Sequence, residues 1–314
     1  MKRAFIFPGQ GSQAVGMGKA LADNFPQAKQ VFAEVDDALS QKLSTLMWEG
    51  PADELTLTAN TQPALMAVSI AVMEVLKAEA GLSLAKDAVY VAGHSLGEYS
   101  ALAAAGSLTL KDSASLLRIR GDAMQKAVPV GEGAMAAVLG LSLEDVILIA
   151  QEAAGSQICD VANDNGNGQV VVSGHKAAVE RAVAYAQEKG DKRAIMLSVS
   201  APFHCSLMAP AADAMREALA KVEFKAPAVP VVINVEARPE ADPEKLSDAL
   251  VRQVTGTVRW RESMEFMAGE KIEAFYEVGA GKVLTGLGKR LAPDAQSVAI
   301  GTPEDVAGFI KSFS

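Results

Sequence analysis

The 314-residue chain is poor in the residues that mark several large protein classes. Its two cysteines, Cys159 and Cys205, are too few for a disulfide framework or a four-thiolate zinc site. It has three histidines, and 5% of its residues are aromatic. Basic residues are in the minority, 29 Lys and Arg against 38 Asp and Glu, for a net charge of -9. That balance argues against a nucleic-acid partner, because neutralising phosphates takes a basic face. No apolar run approaches the roughly 18 residues that cross a bilayer. The opening MKRAFIFPG has the look of a signal peptide, but Pro8 ends its apolar run after four residues, too few for an h-region. The expectation is a cytoplasmic, enzyme-sized protein with no membrane contact.

Half of the residues are apolar, and the length suits roughly two domains of about 150 residues. RAFIF (3–7) and AVYVAG (88–93) read as buried strands. A helix is expected from about Val15 to Asn24, another over 26–43, and a long, mostly apolar one over 61–80, with Pro63 near its first turn and Gly81 past its end. Two more follow at 98–108 and 111–128. From Gly131 to Val199 the rhythm changes to strand (133–141), helix (142–154), two strands (ICDVANDN, GQVVVSG) joined by an Asn/Gly turn, helix (176–190) and strand (193–199). That β-α-β-β-α-β order is the ferredoxin-like pattern. VPVVINV, a helix from Pro243, AFYEVG and a helix at 282–292 complete the tail. The reading is an α/β, hydrolase-like large domain with a parallel sheet and helices (1–128 and 200–314). A small ferredoxin-like α+β domain (129–199) interrupts it, and a cleft between the two is the natural site.

The strongest local signal is GHSLG, residues 93–97, between an apolar strand and a small-residue helix. It is a G-x-S-x-G nucleophile elbow in the context the motif requires, which makes Ser95 the candidate nucleophile. A serine needs a base, and three histidines allow elimination. His94 adjoins Ser95 on a tight turn and is expected to pack or orient the loop. His175 opens a helix of the small domain, where capping or solvent exposure is the ordinary role. His204 follows the last small-domain strand where the chain returns to the large domain, so it is the candidate base. A hydrolase-type triad would want an acid between serine and histidine; Asp160 and Asp164 are available, and spacing marks neither. Cys205 adjoins the base and has no elbow of its own; it reads as a buried thiol.

The glycine-rich FPGQGSQAVGMG after the first strand satisfies a degenerate G-x-G-x-x-A dinucleotide pattern. The acidic residue expected some 20 positions on should end a second strand, yet Glu34 and Asp36 fall within a helical repeat. No Gly-Lys-Ser/Thr closes a P-loop. LLRIRGD offers Arg118 and Arg120, which point to opposite sides of a helix, so at most one faces the cleft; periodicity favours neither.

FPGQGSQAVGMG, TQPALMAVSIA, GHSLGEYSALAAAG, RGDAMQKAVP, GQVVVSGH, APFHCSLM, VRWRESMEFM and EVGAGKVLTGLGKR, in that order over essentially the whole chain, resemble the malonyl-CoA:acyl-carrier-protein transacylase family of bacterial fatty-acid synthesis. The resemblance implies a ping-pong acyl transfer in which Ser95 takes malonyl from coenzyme A and passes it to the phosphopantetheine thiol of acyl carrier protein. His204 matches the family's base. Gln253 matches the residue whose backbone carbonyl orients that histidine, Gln10 and Leu96 match the oxyanion-hole residues, and Arg120 matches the arginine that pairs with the malonyl carboxylate. On this reading the N-terminal glycines let the backbone at Gln10 approach a transient oxyanion. The loop APFH resembles malonyl-type rather than methylmalonyl-type enzymes. Gly256-Thr257 stand where many members have Asn-Pro, and Ala280 where Pro is common.

The partners so implied are malonyl-CoA and acyl carrier protein, with no metal, no resident cofactor and no nucleic acid. A free-standing, monomeric, cytoplasmic enzyme is expected. Basic residues near the cleft, Lys176, Lys189, Arg259, Arg261, Lys289 and Arg290, are candidate docking positions for an acidic carrier. A serine thioesterase or esterase could use the same Ser-His pair, although a hydrolase has little use for a buried arginine. A non-catalytic carrier-binding module would have no need of Ser95, His204 and Arg120 together.

Overall fold

The structure, a computed structural model, describes residues 1–189 and 193–313; Gly190, the end of the helix expected over 176–190, lies outside them. Ten strands are described: β1 (Arg3–Phe7), β2 (Tyr90–Gly93), β3 (Gly133–Leu139), β4 (Cys159–Asp164), β5 (Gln169–His175), β6 (Arg193–Met196), β7 (Val231–Ile233), β8 (Arg238–Glu240), β9 (Ala274–Val278) and β10 (Gln296–Ile300). They form two sheets. The larger runs β10-β9-β1-β2-β7-β8, parallel throughout except for the antiparallel β7–β8 edge.

Alternation within the strands of this sheet feeds two cores, as a sheet covered by helices on both faces requires. Phe5, Phe7, Val91, Val231 and Tyr276 pack toward the helices Pro26–Leu39, Thr58–Ala80 and Leu110–Ala127. Ala4, Ile6, Ala92, Val232 and Phe275 pack toward the helices Trp260–Gly269 and Val283–Leu291. Phe7 pairs with Gly93, so the loops leaving β1 and β2 emerge side by side at the carboxyl edge of the sheet, where open α/β sheets place their ligands.

The second sheet runs β4-β5-β3-β6 and is antiparallel throughout. All its strands lie between residues 133 and 196, in the ferredoxin-like order read from the sequence. The helices Leu143–Ala154 and Lys176–Glu188 pack on Ala134, Ala136 and Val138 of β3. The alternate residues Met135 and Ala137 join the core of the large sheet instead. Through β3 and β5 both faces of the small sheet are thus buried, whereas the edge strand β6 leaves Ile195 and Met196 exposed.

Some boundaries differ from expectation. The first helix spans only Lys19–Asn24. Gly18 precedes it at φ 77°, and the Gly16 N–H is bonded to the Met47 carbonyl at 2.8 Å, so the chain from Val15 turns rather than coils. The next helix stops at Leu39 because Ser40 turns left-handed at φ 49°. The long apolar helix starts at Thr58, which moves Pro63 from the first turn into the second. The helices Ala209–Leu219, Trp260–Gly269 and Pro303–Phe313, and the edge strands β8 and β10, are additional to those read from the sequence.

Candidate active site

Ser95 sits between the end of β2 and the helix Gly97–Ala104, at φ 54°, a left-handed backbone that a non-glycine residue adopts only under constraint. The constraint is close packing. A Cβ on Gly93 would lie 1.9 Å from the Gly97 carbonyl oxygen, and one on Gly97 would lie 2.3 Å from that of Phe7. Two glycines therefore let the turn fold onto β1 and push the serine outward. The Ser95 N–H donates to Asn234 Oδ1 at 2.8 Å, and its carbonyl accepts from Gln253 Nε2 at 3.0 Å. The serine's own N–H is thus engaged, and Leu96 follows it at the start of the helix.

The Ser95 hydroxyl lies 2.7 Å from His204 Nε2. On the other side of the ring, Nδ1 is 2.8 Å from the backbone carbonyl of Gln253. A carbonyl only accepts, so Nδ1 carries the hydrogen and Nε2 offers its lone pair to the serine. Gln253 belongs to the last turn of the helix Pro243–Thr255, where carbonyls have no partner within the helix and are free for such a contact. The following Gly256-Thr257 leave that contact intact. Thr257 Oγ1 donates to the Val161 carbonyl at 2.6 Å and the Val258 N–H to that of Ala162 at 2.9 Å, which ties the stretch to β4. Burial, helped by the nearby Arg120 charge, pushes His204 down to about 3, so the imidazole is neutral at neutral pH and able to take a proton.

Arg120 is 1% exposed. Its guanidinium donates to Gln62 Oε1 (2.7 Å), Gln253 Oε1 (2.9 Å) and Ser95 Oγ (3.1 Å), and lies 5.7 Å from the centre of the Tyr99 ring. Among the described residues no carboxylate bonds to it. A buried cation bonded only to neutral groups is unfavourable unless an anion can reach it. Its helix reaches this depth because Gly121 allows backbone contact with the helix Thr58–Ala80; a Cβ there would lie 2.5 Å from Ala59 Cα. Arg118 points the other way, to Asn60 at 2.8 Å and to Gln41.

A cavity of about 340 Å³ opens onto these groups, within the range of small-molecule sites. Gln10, Ser95, Leu96, Arg120 and His204 line it, together with the apolar Met124, Met135, Leu197, Val199 and Phe203. Gln253 lies behind it, fully buried. All six residues singled out by the sequence thus converge. Gln10 connects to Arg120 through side chains: Thr58 Oγ1 donates to Gln10 Oε1 at 2.9 Å, Gln62 Nε2 donates to Thr58 Oγ1 at 2.9 Å, and Gln62 Oε1 accepts from the arginine.

The rejected candidates are occupied elsewhere. His94 Nε2 is 2.9 Å from Asn165 Oδ1, and its ring packs on Trp260. His175 Nδ1 accepts the Ile158 N–H at 3.0 Å rather than capping its helix. Asp160 accepts the N–H and hydroxyl of Ser206, and Asp164 pairs with Arg261; neither reaches His204. Cys205 is buried against the Pro202 carbonyl, and burial pushes its thiol up to about 11. Asp36, which fell short of the dinucleotide pattern, holds the N–H and hydroxyl of Ser44. Among the described residues no cluster of His, Cys, Asp and Glu could hold a metal ion, and no helix is long and apolar enough to cross a membrane.

Three residues were missed by sequence reasoning: Asn234, Gln62 and Glu98. Each had a signal. Asn234 is a polar residue directly after an apolar parallel strand, at the sheet edge where sites form. Gln62 interrupts an apolar helix, and Glu98 is the one charge in a small-residue helix.

A family profile for the acyl transferase domain matches residues 4–310. The chain is 47% identical over 308 residues to the malonyl CoA-acyl carrier protein transacylase of Escherichia coli K12, covering 98% of each protein. It is 45% identical over 306 residues to that of Bacillus subtilis, covering 97% of this chain and 95% of the relative. Among solved structures, the acyl-carrier-protein-S-malonyltransferase of Bartonella henselae superposes with a TM-score of 0.97 at 55% identity, over 99% of both chains. A malonyl-transacylase solved in complex with its type II PKS acyl-carrier protein superposes with a TM-score of 0.96 at 42% identity, over 99% of this chain and 100% of that one.

Proposed function

The chain belongs to the acyl transferase domain family, and from that premise we propose that it moves a malonyl group from coenzyme A to the phosphopantetheine thiol of an acyl carrier protein, by way of an ester on Ser95. The observation that carries the site assignment is the 2.7 Å contact between Ser95 Oγ and the neutral Nε2 of His204, with an uncompensated arginine 3.1 Å from the same oxygen.

Ser95 Oγ attacks the thioester carbonyl carbon while its proton passes to His204 Nε2. The negative charge that develops on the carbonyl oxygen is met by the N–H groups of Gln10 and Leu96. Collapse expels the coenzyme A sulfur, which takes the proton from His204, and malonyl remains on Ser95. The carrier thiol then gives its proton to His204 and attacks the ester. A second collapse frees Ser95 Oγ, which takes that proton back. Throughout, Arg120 turns from the serine to the malonyl carboxylate, whose charge it balances in a site screened from water. The proton and charge transfers use this chain's own groups, the malonyl thioester and the carrier thiol. The proposal includes the division of the chain at 129–199 and a cytoplasmic setting, which the two free, buried cysteines support.

The test is intact-mass measurement after mixing with malonyl-CoA, followed by addition of carrier protein. Wild type is expected to gain one malonyl adduct and lose it to the carrier; Ser95→Ala gains none. An adduct that persists on Ser95→Ala removes the assignment of the nucleophile, and release as free malonate in place of loaded carrier makes the protein a thioesterase.

A further inference from the structure

Glu98 lies three residues beyond the nucleophile, in the first turn of the helix Gly97–Ala104, and no step above uses it. Its side chain is fully buried. Oε2 accepts the backbone N–H of Asn234 at 2.8 Å and the carboxamide of Gln253 at 3.1 Å; Oε1 has no partner. A carboxylate buried without a bonded cation is unfavourable. A first-turn acid usually repays its place by facing its own helix N-terminus, whereas this one is bonded to two other segments. Its place therefore has to be explained by what it holds.

Those two partners set the geometry of the reacting groups. Asn234 clamps the elbow, accepting the Ser95 N–H through Oδ1 and donating Nδ2 to the Gly93 carbonyl at 2.7 Å. Gln253 offers its backbone carbonyl to His204, donates Nε2 to the Ser95 carbonyl, and accepts from Arg120 through Oε1. Its carboxamide can serve Ser95 and Arg120 together only in one orientation, with nitrogen toward Glu98. The Glu98 acceptor favours that orientation together with the Ser95 carbonyl and with Asn234 Oδ1, which Nε2 reaches at 3.2 Å. One carboxylate oxygen thereby joins the end of β7, the helix bearing Gln253 and the nucleophile elbow.

We propose that Glu98 is a positioning residue for acyl transfer, whose Oε2 acceptor fixes Asn234 and Gln253 and through them aligns Ser95, His204 and Arg120. The inference rests on the roles given above to those three residues. The acceptor is what counts. Burial pushes the Glu98 carboxyl up to about 7, and a proton resting on the unpartnered Oε1 leaves Oε2 accepting as before.

The experiment compares Glu98→Met, which fills the same length without an acceptor, with Glu98→Gln, which keeps one. Single-turnover acylation of Ser95 by malonyl-CoA and acetyl-CoA is followed by mass, with thermal melting as the check on folding. Glu98→Met is expected to lose about 10²-fold in acylation rate, the scale of a misaligned site, equally for both thioesters and with KM little changed. Glu98→Gln is expected to recover at least about tenfold of that loss, because its amide oxygen can again accept from Asn234 and Gln253. Should Glu98→Met not fold, Glu98→Asp, whose shorter side chain draws the acceptor back, is expected to lose kcat with KM kept. Wild-type rates in a folded Glu98→Met, or in Glu98→Asp where that variant stands in for it, overturn the proposal. Equal loss in Glu98→Met and Glu98→Gln overturns it too. If wild type gains no adduct, or Ser95→Ala gains one, the catalytic reading falls and takes this inference with it; a wild type that acylates and a Glu98→Met that matches it sink this inference alone.

Discussion

His204 Nδ1 lies 2.8 Å from the backbone carbonyl of Gln253, where a serine hydrolase would place a carboxylate. A carbonyl fixes the tautomer as well as an acid does, but it brings only a partial charge, so the imidazole gains little help in becoming cationic. With burial and the Arg120 charge acting in the same sense, His204 is pushed down to about 3. The acid limb of the acylation rate is therefore expected well below the ordinary histidine range. Single-turnover rates between pH 4 and 9 test this; a break near pH 6.5 would mean the base is solvated or paired with an acid.

Replacing His204 with Ala is expected to slow acylation by roughly 10²–10⁴-fold, the usual contribution of a general base. His175→Ala should leave acylation near wild type, since its ring is spent on the Ile158 N–H of the small sheet. His94→Ala should fall between, because His94 joins the elbow to Asn165 of the β4–β5 turn without touching Ser95 Oγ. A His175→Ala protein as slow as His204→Ala would overturn the assignment of the base.

How much of this was legible follows from which interactions are local. The elbow could be read because its strand, its two glycines and its helix are contiguous in the sequence. His204 could be read by elimination from three histidines. The ferredoxin-like order was visible because each element of residues 133–196 carries its own period. Arg120 could not be separated from Arg118 by periodicity: what selects it is the approach of two helices at Gly121 and Ala59, a contact between distant segments. Asn234, Gln62 and Glu98 act through partners up to 155 residues away. The unassigned strand β10, QSVAI, alternates exposed and half-buried residues at a sheet edge and buries only Ile300, so it lacks the continuous apolar run of the central strands.

Two of the buried titratable groups, Glu98 and His204, tilt stability in opposite senses. Glu98 is held above its ordinary value, so the folded state binds its proton more tightly. Its contribution is full below about pH 4.5 and is lost as pH rises through about 7, by roughly 2–4 kcal/mol. His204 is held below its ordinary value, so the folded state loses stability as pH falls from 6.5 toward 3. Denaturant unfolding of wild type and Glu98→Gln from pH 4 to 8 is expected to give curves that separate with rising pH, the variant being the less sensitive. Parallel curves would show that Glu98 is not held protonated by the fold.

Carrier docking should depend on salt, since an acidic carrier needs a basic patch on a chain of net charge -9. Two candidates drop in rank. Arg259 is paired with Glu262, and Arg261 with Asp164 and Glu265, so their charge is largely offset. Lys289 and Arg290, exposed in the last turn of the helix Val283–Leu291, are the better pair. Reversing both to Glu is expected to raise the carrier KM and flatten its salt dependence while acylation by malonyl-CoA stays unchanged. A carrier KM that ignores salt in wild type would remove the electrostatic patch altogether.

Arg120 is the residue expected to read the acyl group. Its guanidinium has Gln62, Gln253 and Ser95 as partners but no bonded carboxylate, so a malonyl carboxylate in the cavity meets an uncompensated charge. Truncating one member of a desolvated charge pair costs on the order of 2–5 kcal/mol, and each 1.4 kcal/mol is about tenfold. Arg120→Ala should therefore lower kcat/KM for malonyl-CoA by roughly 30- to 3,000-fold. For acetyl-CoA two effects meet. The Gln253 carboxamide loses a donor, which loosens the site. Against that, burial still depresses His204 but the cation that adds to the depression is gone, so His204 becomes a somewhat stronger base. The acetyl rate is expected to hold or rise. Arg118→Ala, which frees only Asn60 and Gln41 on the far side of the helix, should do neither. The measurement is kcat/KM for both thioesters on the three proteins. Equal losses on malonyl and acetyl in Arg120→Ala would mean that the arginine supports the site's structure and does not recognise the carboxylate.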